Sequence, residues 1–366
     1  MQRIPARFDL LVLGAGIAGL SVAYAANRSG LKTAVLDRHF PGNGASGAPQ
    51  ALLNPATGRK AKKCWNAEEC LAYTRTLLET VHRHTGIHFY SMNGILRPAL
   101  DAKLAEDMVE TYSGSSWPEN WIEWLDEDRL TSRFPGLNCS QGGLWIPAGG
   151  TVAFGLFMKS FHRYLKFEGV HFYLGSEGNL PENGSFPTTN GTAGIQAENI
   201  VYATGRSMTG DSIWKMLPLN QVKGQTLSVE IKQKLPFNCS VSSLGYIAQT
   251  EQATDRIVLG STYEHHFSHD RPDKKGANYL LDRMERTLPG LRNRVVKSRG
   301  WSGIRVTTPD KKPFIGKHPD ADNVYAIGAL GSKGLLLAPY LGKLLVRLIT
   351  HGDEVPPLFT IERLVS

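Results

Sequence analysis

An unbroken apolar run, Leu10-Leu11-Val12-Leu13, leads into glycines at positions 14, 16 and 19. The chain continues as Leu20-Ser21-Val22-Ala23-Tyr24-Ala25-Ala26, and a second apolar segment ends at Asp37. The unbroken run reads as a strand, and the small-residue stretch after the glycines reads as a helix packed on it. Further on, Leu71, Leu77, Leu78 and Val81 fall on one stripe of a helix predicted from about Asn66 to His84, and a shorter helix follows Asp101. A strand ending at Trp145-Ile146 precedes a helix from about Val152 to Phe167, and Asn199 to Gly205 reads as a buried strand ending in a small-residue turn. Between Lys223 and Thr262 the period shortens to two. Gln225 to Ile231, Leu244 to Gln249 and Arg256 to Ser261 are predicted strands of a separate antiparallel sheet. A polar stretch, Pro272 to Arg299, is helical at Asn278 to Thr287. The apolar pattern then returns with a strand at Val324 to Ile327 and a glycine turn, Gly328 to Gly334, that opens a last helix. Gly175 to Gly194 reads as a polar hairpin or loop.

This order predicts an α/β fold, α+β overall, in which one Rossmann-like domain is assembled from residues 1–75, 145–222 and 300–366. A second domain, 76–144 with 223–299, is inserted around an antiparallel sheet and faces the substrate. The first unit has the features a dinucleotide needs. Gly14 permits the tight turn, Gly16 lets backbone approach a pyrophosphate at the helix N-terminus, Gly19 allows close helix packing, and Asp37 can accept from ribose hydroxyls. The segment from Trp301 to Ile349, at the far end of the chain, is not needed by a nicotinamide enzyme and points to a flavin dinucleotide, FAD. Candidate cofactor contacts in the first unit are Gly14, Gly16, Ile17, Ala18, Gly19, Asp37 and Arg38. The loop after Pro41 adds Gly44, Ala45, Ser46, Gly47, Gln50 and Leu52, and the next turn adds Ala203, Thr204 and Gly205. Gly303, Arg305, Gly328, Gly331, Ser332, Lys333, Gly334 and Leu335 complete the set.

With 366 residues, 41% apolar and 20% charged, the chain supports a large core. Arg3 and Arg7 before an apolar stretch resemble a secretory signal, but the stretch carries the glycine fingerprint and no run approaches a membrane span. A cytoplasmic protein is expected, with no membrane partner. Cys64, Cys70, Cys139 and Cys239 lack the spacing of zinc or dithiol sites and are expected as buried or free thiols. His265, His266 and His269 have no carboxylate or thiol frame for a metal, so no metal is expected. The net charge of +8 concentrates at Arg59-Lys60-Lys62-Lys63, Lys274-Lys275, Arg292-Arg294-Lys297-Arg299 and Lys311-Lys312, a polyanion-binding face or else ordinary solvated surface. The first cluster follows the second glycine loop, beside the expected flavin. The tryptophans between Trp117 and Trp124 would pack in the core or stack on a base.

The order of glycine fingerprint, Ala203-Thr204-Gly205 turn, and Gly303-Ile304-Arg305 with Thr308-Pro309-Asp310 resembles the glycine and D-amino-acid oxidase (DAO) superfamily. Within it, Gly44 to Gln50 through Pro55, Gly260-Ser261-Thr262-Tyr263 and Ala329 to Leu335 with Ala338-Pro339 are similar to the oxidase half of MnmC. That resemblance implies oxidation of the glycine-like arm of 5-carboxymethylaminomethyl(-2-thio)uridine at the tRNA wobble position, giving glyoxylate and the 5-aminomethyl form. It implies tRNA as partner, molecular oxygen as electron acceptor, and a separate methyltransferase for any later methylation. The alternatives are an oxidase of free glycine, sarcosine or a D-amino acid, and a non-catalytic flavin-bearing tRNA-binding protein. Ala48 and Asn54 depart from the family's usual Asn and Tyr, and Asp37 from its Glu. Gly303 stands where some relatives attach flavin to cysteine, so non-covalent FAD is expected.

Arg305 is the candidate carboxylate clamp, because a planar guanidinium matches a carboxylate with two parallel N–H donors; a structural ion pair is its alternative. Tyr246 resembles a tyrosine that hydrogen-bonds the same carboxylate, or is a core residue. Lys333, at the opening of the last helix, adds positive charge beside the flavin or faces solvent.

Overall fold

The computed structural model describes residues 6–175, 194–249 and 255–365, and the backbone of 185–186. Most of the polar hairpin expected between Gly175 and Gly194 therefore lies outside the described residues, as does Arg3.

The first strand, Ala6–Leu13, sits in the middle of a seven-stranded sheet and pairs in parallel with Thr33–Asp37 on one side and Ile195–Tyr202 on the other. Val324–Gly328 extends the sheet in parallel beyond Ile195–Tyr202, Phe314–Lys317 closes that edge antiparallel, and His171–Leu174 forms the other edge. The unbroken apolar run is explained by burial on both faces. Leu10 and Val12 enter the core beneath the helices, while Leu11 and Leu13 enter a second core on the opposite face. Helix Ile17–Arg28 and the last helix, Gly334–His351, pack side by side on the first of these faces.

Pro339 lies inside the last helix, so the Leu335 carbonyl lacks the N–H that residue 339 would otherwise donate. The hydroxyl of Thr74, 0% exposed on helix Ala67–Thr85, fills the vacancy, lying 3.4 Å from the Leu335 oxygen and 3.3 Å from the Leu336 oxygen. Thr74→Val removes that donor at nearly constant volume and is expected to cost about 1–2 kcal/mol. Thermal denaturation of the variant beside Thr74→Ser checks this: an unshifted midpoint in Thr74→Val would show the carbonyls satisfied by another donor.

The second large sheet has eight strands, in the order Val295–Thr307, Asn220–Ile231, Arg256–Gly260, Tyr246–Ala248, Ser240–Ser242, Ile95–Pro98, Gly143–Ile146 and Glu123–Leu125. The expected purely antiparallel sheet is corrected in one respect, since Ser240–Ser242 runs parallel to Ile95–Pro98. Three of its strands come from the first insert and are only three or four residues long, too short to show a period of two. The strand expected from Leu244 to Gln249 starts at Tyr246, because the preceding residues turn back onto Ser240–Ser242 through Ser243 N–H to Gly245 oxygen, 2.8 Å. The helix expected at Asn278 begins at Lys274, where the Asp273 side chain accepts from Gly276 N–H at 2.7 Å and caps it.

The boundaries expected at 144/145, 222/223 and 299/300 fall inside strands Gly143–Ile146, Asn220–Ile231 and Val295–Thr307. The last two pair with each other from Asn220 opposite Thr307 to Ile231 opposite Val295. Val295–Thr307 is an edge strand, and its exposed Lys297 and Arg299 oppose pairing with another sheet.

All four cysteines are buried free thiols. Trp117, Trp121 and Trp124 are half-buried against the main core, the packing alternative of the two considered for them. Among the described residues, no helix is long and apolar enough to cross a membrane.

Candidate functional site

At the carboxyl ends of the parallel strands the chain builds a cradle. Gly14 N–H donates to the Leu36 oxygen at 2.8 Å, and Ala203 N–H to the Leu13 oxygen at 2.8 Å, so three strand ends are tied at one point. Gly14 has φ +105°, and a methyl carbon built on it would lie 2.5 Å from the Ala203 oxygen. One built on Gly19 would lie 1.8 Å from the Gly14 oxygen. The protein's own packing therefore requires both to be glycine. Gly16 and Gly44 differ: a carbon on Gly16 meets only the Ser46 hydroxyl, at 3.3 Å, and one on Gly44 meets no protein atom within 4 Å. Open backbone at those two positions, beside a helix N-terminus with no side-chain cap, fits close approach by an anionic ligand. Ile17 N–H donates to Ser46 Oγ at 3.0 Å, which fixes the second glycine loop, including the turn Ala45–Gly47, over the start of the helix that Ala18 and Gly19 continue.

Asp37 accepts from Ala15 N–H through Oδ2 and from His39 N–H through Oδ1, both at 2.7 Å. These bonds hold the carboxylate at the turn and leave further lone pairs for ribose hydroxyls. Arg38 donates to the Ser207 hydroxyl on the turn that begins at Gly205. The Thr204 hydroxyl and the Gln50 amide oxygen are buried without a hydrogen-bond partner among the described residues. Each such group costs about 1–3 kcal/mol unless satisfied, and both lie in segments expected to face the cofactor. Leu52 is half-buried on strand Ala51–Leu53.

The far end of the chain returns to the same place. A carbon on Gly334 would lie 3.2 Å from Ile17 Cγ2, so the N-termini of the first and last helices converge. Gly331 N–H donates to the Val306 oxygen at 3.1 Å, which sets the turn beside the strand bearing Arg305, and Gly303 on that strand lies under Ala45. Ser332 is exposed, Leu335 is buried, and half-buried Lys333 is the N-cap residue of the last helix. Lys333 lies close enough to Cys64 to favour its thiolate, although burial, the larger effect, pushes the Cys64 thiol up. The space above Gly328 is filled by the Phe314 ring, which accounts for that glycine by core packing. Of the departures from the family pattern, Asn54 accepts from Ala56 N–H at 2.9 Å and shapes its own turn.

Arg305 and Tyr246 come together on the eight-stranded sheet. Arg305 Nη2 donates to the Thr262 oxygen at 2.6 Å, Nη1 lies 3.4 Å from Ser261 Oγ, and Nε is buried with no partner among the described residues. The Tyr263 ring, 48% exposed, lies 5.2 Å from the guanidinium carbon. No carboxylate among the described residues forms an ion pair with Arg305, so the structural-pair alternative is not what holds it. Burial lowers its pKa, which means the site carries a cation it does not neutralise. Burial also pushes the Tyr246 phenol up to about 12, although Arg305 opposes it, so Tyr246 stays a protonated donor at neutral pH.

Residues no sequence pattern singled out support this site. Lys223, 1% exposed, makes ion pairs with Asp273 at 3.1 Å and Glu264 at 3.9 Å. Arg97 is buried, its pKa lowered to about 10 by desolvation, and donates to the carbonyls of Ala56, Gly58 and Arg59. It thereby pins the loop carrying the first basic cluster. In that cluster Lys60 pairs with Asp107 at 3.0 Å, Lys63 with Glu68 at 2.5 Å, and Arg59 with Asp101 at 4.0 Å, so acids of the same chain already face these three cations. His265, His266 and His269 are exposed, and His265 meets the Tyr263 ring edge-on at 5.1 Å.

Comparison with known proteins agrees with this architecture. The chain is 26% identical to a glycine oxidase of Bacillus licheniformis, over 94% of this chain and 93% of that protein. It is 25% identical to a tRNA 5-methylaminomethyl-2-thiouridine biosynthesis bifunctional protein MnmC of Thiobacillus denitrificans, over 94% of this chain but 56% of that protein. The fold matches the crystal structure of glycine oxidase from Geobacillus kaustophilus with a TM-score of 0.82 at 23% identity, covering 96% of each chain. The model of the DAO family, FAD dependent oxidoreductase, matches residues 9–348, and the chain, with its two-ended dinucleotide cradle, belongs to that family.

Proposed function

We propose that this FAD-dependent oxidoreductase oxidises a glycine unit, R–NH–CH2–COO⁻, in which R is the 5-methylene carbon of a wobble uridine in tRNA. Arg305 carries the reading: a half-buried guanidinium with an unpartnered Nε and no acid of its own is matched by a substrate carboxylate. Tyr246 donates to the same carboxylate. Together they hold the CH2 carbon toward the cradle, where bound FAD supplies the acceptor for its hydride. Lys333 and the N-terminus of the last helix place positive charge beside the cradle, favouring electron uptake. The nitrogen gives up its proton as the C–N bond becomes an imine. Water adds to the imine carbon, the C–N bond breaks, and the products are R–NH2 and glyoxylate. Molecular oxygen accepts the two electrons and leaves as hydrogen peroxide.

The nucleic-acid form of R is favoured by the half-exposed Tyr263 ring beside Arg305, a face on which a base can stack. Exposed Lys274, Lys275, Lys297 and Arg299 on the substrate-facing unit supply positive charge for phosphates. The second reading, an oxidase of a free small amino acid such as glycine, sarcosine or a D-amino acid, is favoured by the likeness to glycine oxidase along nearly the whole chain. Arg305 serves either substrate. Anaerobic mixing with tRNA bearing carboxymethylaminomethyl-uridine, and separately with glycine, distinguishes them through the visible flavin band. Bleaching by the tRNA is expected. Bleaching by glycine alone transfers the assignment to the free amino acid, and bleaching by neither leaves a flavin-bearing binding protein.

A further inference from the structure

We infer that Lys223, with Glu264 and Asp273, is a positioning device for carboxylate recognition, aiming Arg305 from the opposite face of the sheet; this rests on the reading of Arg305 as the clamp. Side chains alternate along strand Asn220–Ile231, so Lys223 and Gln225 point to one face and Val222 and Gly224 to the other. Arg305 lies on the Gly224 face: a carbon built on Gly224 would lie 2.2 Å from Nη2, so the guanidinium rests directly on bare backbone. It is oriented by the segment Ser261 to Tyr263, which offers the Ser261 hydroxyl, the Thr262 carbonyl and the Tyr263 ring.

That segment is held in turn from the other face. Thr262 N–H donates to the Gln225 oxygen at 3.1 Å, and Glu264 and Lys223 exchange backbone hydrogen bonds at 3.0 and 2.9 Å. The Thr262 hydroxyl accepts from Gln225 N–H at 2.8 Å and donates to Glu264 Oε1 at 2.6 Å. Gln225 Nε2 joins Glu264, at 2.9 Å, to Asp273, at 3.0 Å. Lys223 Nζ, buried between the two carboxylates, pairs with both and offsets part of their charge. Backbone pairing alone would position the segment loosely, because it amounts to an isolated bridge at the end of strand Arg256–Gly260. The buried ion cluster fixes the Thr262 carbonyl, and that carbonyl fixes the guanidinium fork. Asp273, its pKa lowered to about 2 chiefly by the Gly276 N–H, with Lys223 and Gln225 adding to the shift, keeps its charge throughout the working range.

The test uses flavin-loaded enzyme and reads carboxylate binding independently of turnover, as the flavin spectral change on titration with glycolate. In Lys223→Met, glycolate affinity is expected to fall about tenfold and the substrate KM to rise about as much, with kcat within about twofold. Lys223→Arg, which keeps the cation, is expected to restore most of the affinity. Glu264→Gln keeps acceptor geometry toward Gln225 and Thr262 while losing the charge, and is expected to lose about threefold; it serves if Lys223→Met fails to fold. Wild-type glycolate affinity in Lys223→Met or Glu264→Gln with a lowered melting temperature would show the cluster to be structural only and overturn the inference. Arg305→Ala in parallel separates the two claims. If it binds glycolate as the wild type does, the clamp itself falls; if it loses binding while the Lys223 and Glu264 variants do not, only the positioning role falls.

Discussion

If Arg305 clamps a substrate carboxylate as proposed, Arg305→Ala is expected to lower kcat/KM by on the order of 10²–10⁴ while the purified protein stays yellow. Each hydrogen bond from a guanidinium to a carboxylate contributes about 1.5–3 kcal/mol, so two parallel bonds give about 3–6 kcal/mol, and every 1.4 kcal/mol is tenfold. The loss should appear mostly in KM, because the carboxylate takes no part in the bond changes and is held equally in ground and transition states. A smaller fall in kcat accompanies it, since a carboxylate held only by Tyr246 lets the CH2 carbon drift from the acceptor. Arg305→Lys should recover only part of the loss. An ammonium is a point charge without the fork, and it would reach the Thr262 carbonyl with different geometry. Arg305 is one of many candidate flavin contacts, so the visible spectrum is read in parallel as a control for loading. Unaltered steady-state kinetics in a yellow Arg305→Ala protein would remove this residue from the site.

The parts of this molecule legible in its sequence are those in which one local pattern has one physical cause. The run Leu10 to Leu13 is apolar at every position because both faces of its strand are covered, and the glycines after it sit where the chain turns hard and a helix packs close. Helix Ala67–Thr85 was readable for a similar reason, with Leu71, Leu77, Leu78 and Val81 all buried on one stripe. Arg305 was legible as a candidate from its place among motif residues, but its lack of an acid partner is a fact of three dimensions. The short strands Ile95–Pro98, Glu123–Leu125 and Gly143–Ile146 are not legible as members of the eight-stranded sheet, because three or four residues carry no usable period and a partner can lie far along the chain, as Ser240 does from Ile95. The buried cluster around Lys223 was invisible for a stronger reason. A lysine in an alternating strand reads as the solvent face, and only the return of Glu264 and Asp273 from a distant loop lets its charge be buried.

The same distinction separates two kinds of glycine in the cradle, and substitution reads it out. Gly19→Ala is expected to abolish flavin binding and lower the melting temperature sharply. Its methyl carbon would lie 1.8 Å from the Gly14 oxygen and 3.2 Å from Val12 Cγ1, and the first of these is backbone at a strand end that cannot swing aside. The helix must therefore back away from the sheet by more than an ångström, which forfeits core contacts at Ile17, Leu20 and Ala23 and costs about 1–3 kcal/mol or more. The same shift carries the N-terminal N–H groups out of reach of a pyrophosphate. Gly44→Ala is the opposite case: its φ of −85° suits any residue, and no protein atom lies within 4 Å of the added carbon. The apoprotein should melt as the wild type does. Any loss of FAD affinity in Gly44→Ala then reports contact with the cofactor itself, because nothing else is there to clash. Calorimetry of the apoproteins together with FAD titration followed by absorbance separates the two effects. Tight FAD binding with an unshifted midpoint in Gly19→Ala would mean that the first helix does not sit where the dinucleotide cradle requires it.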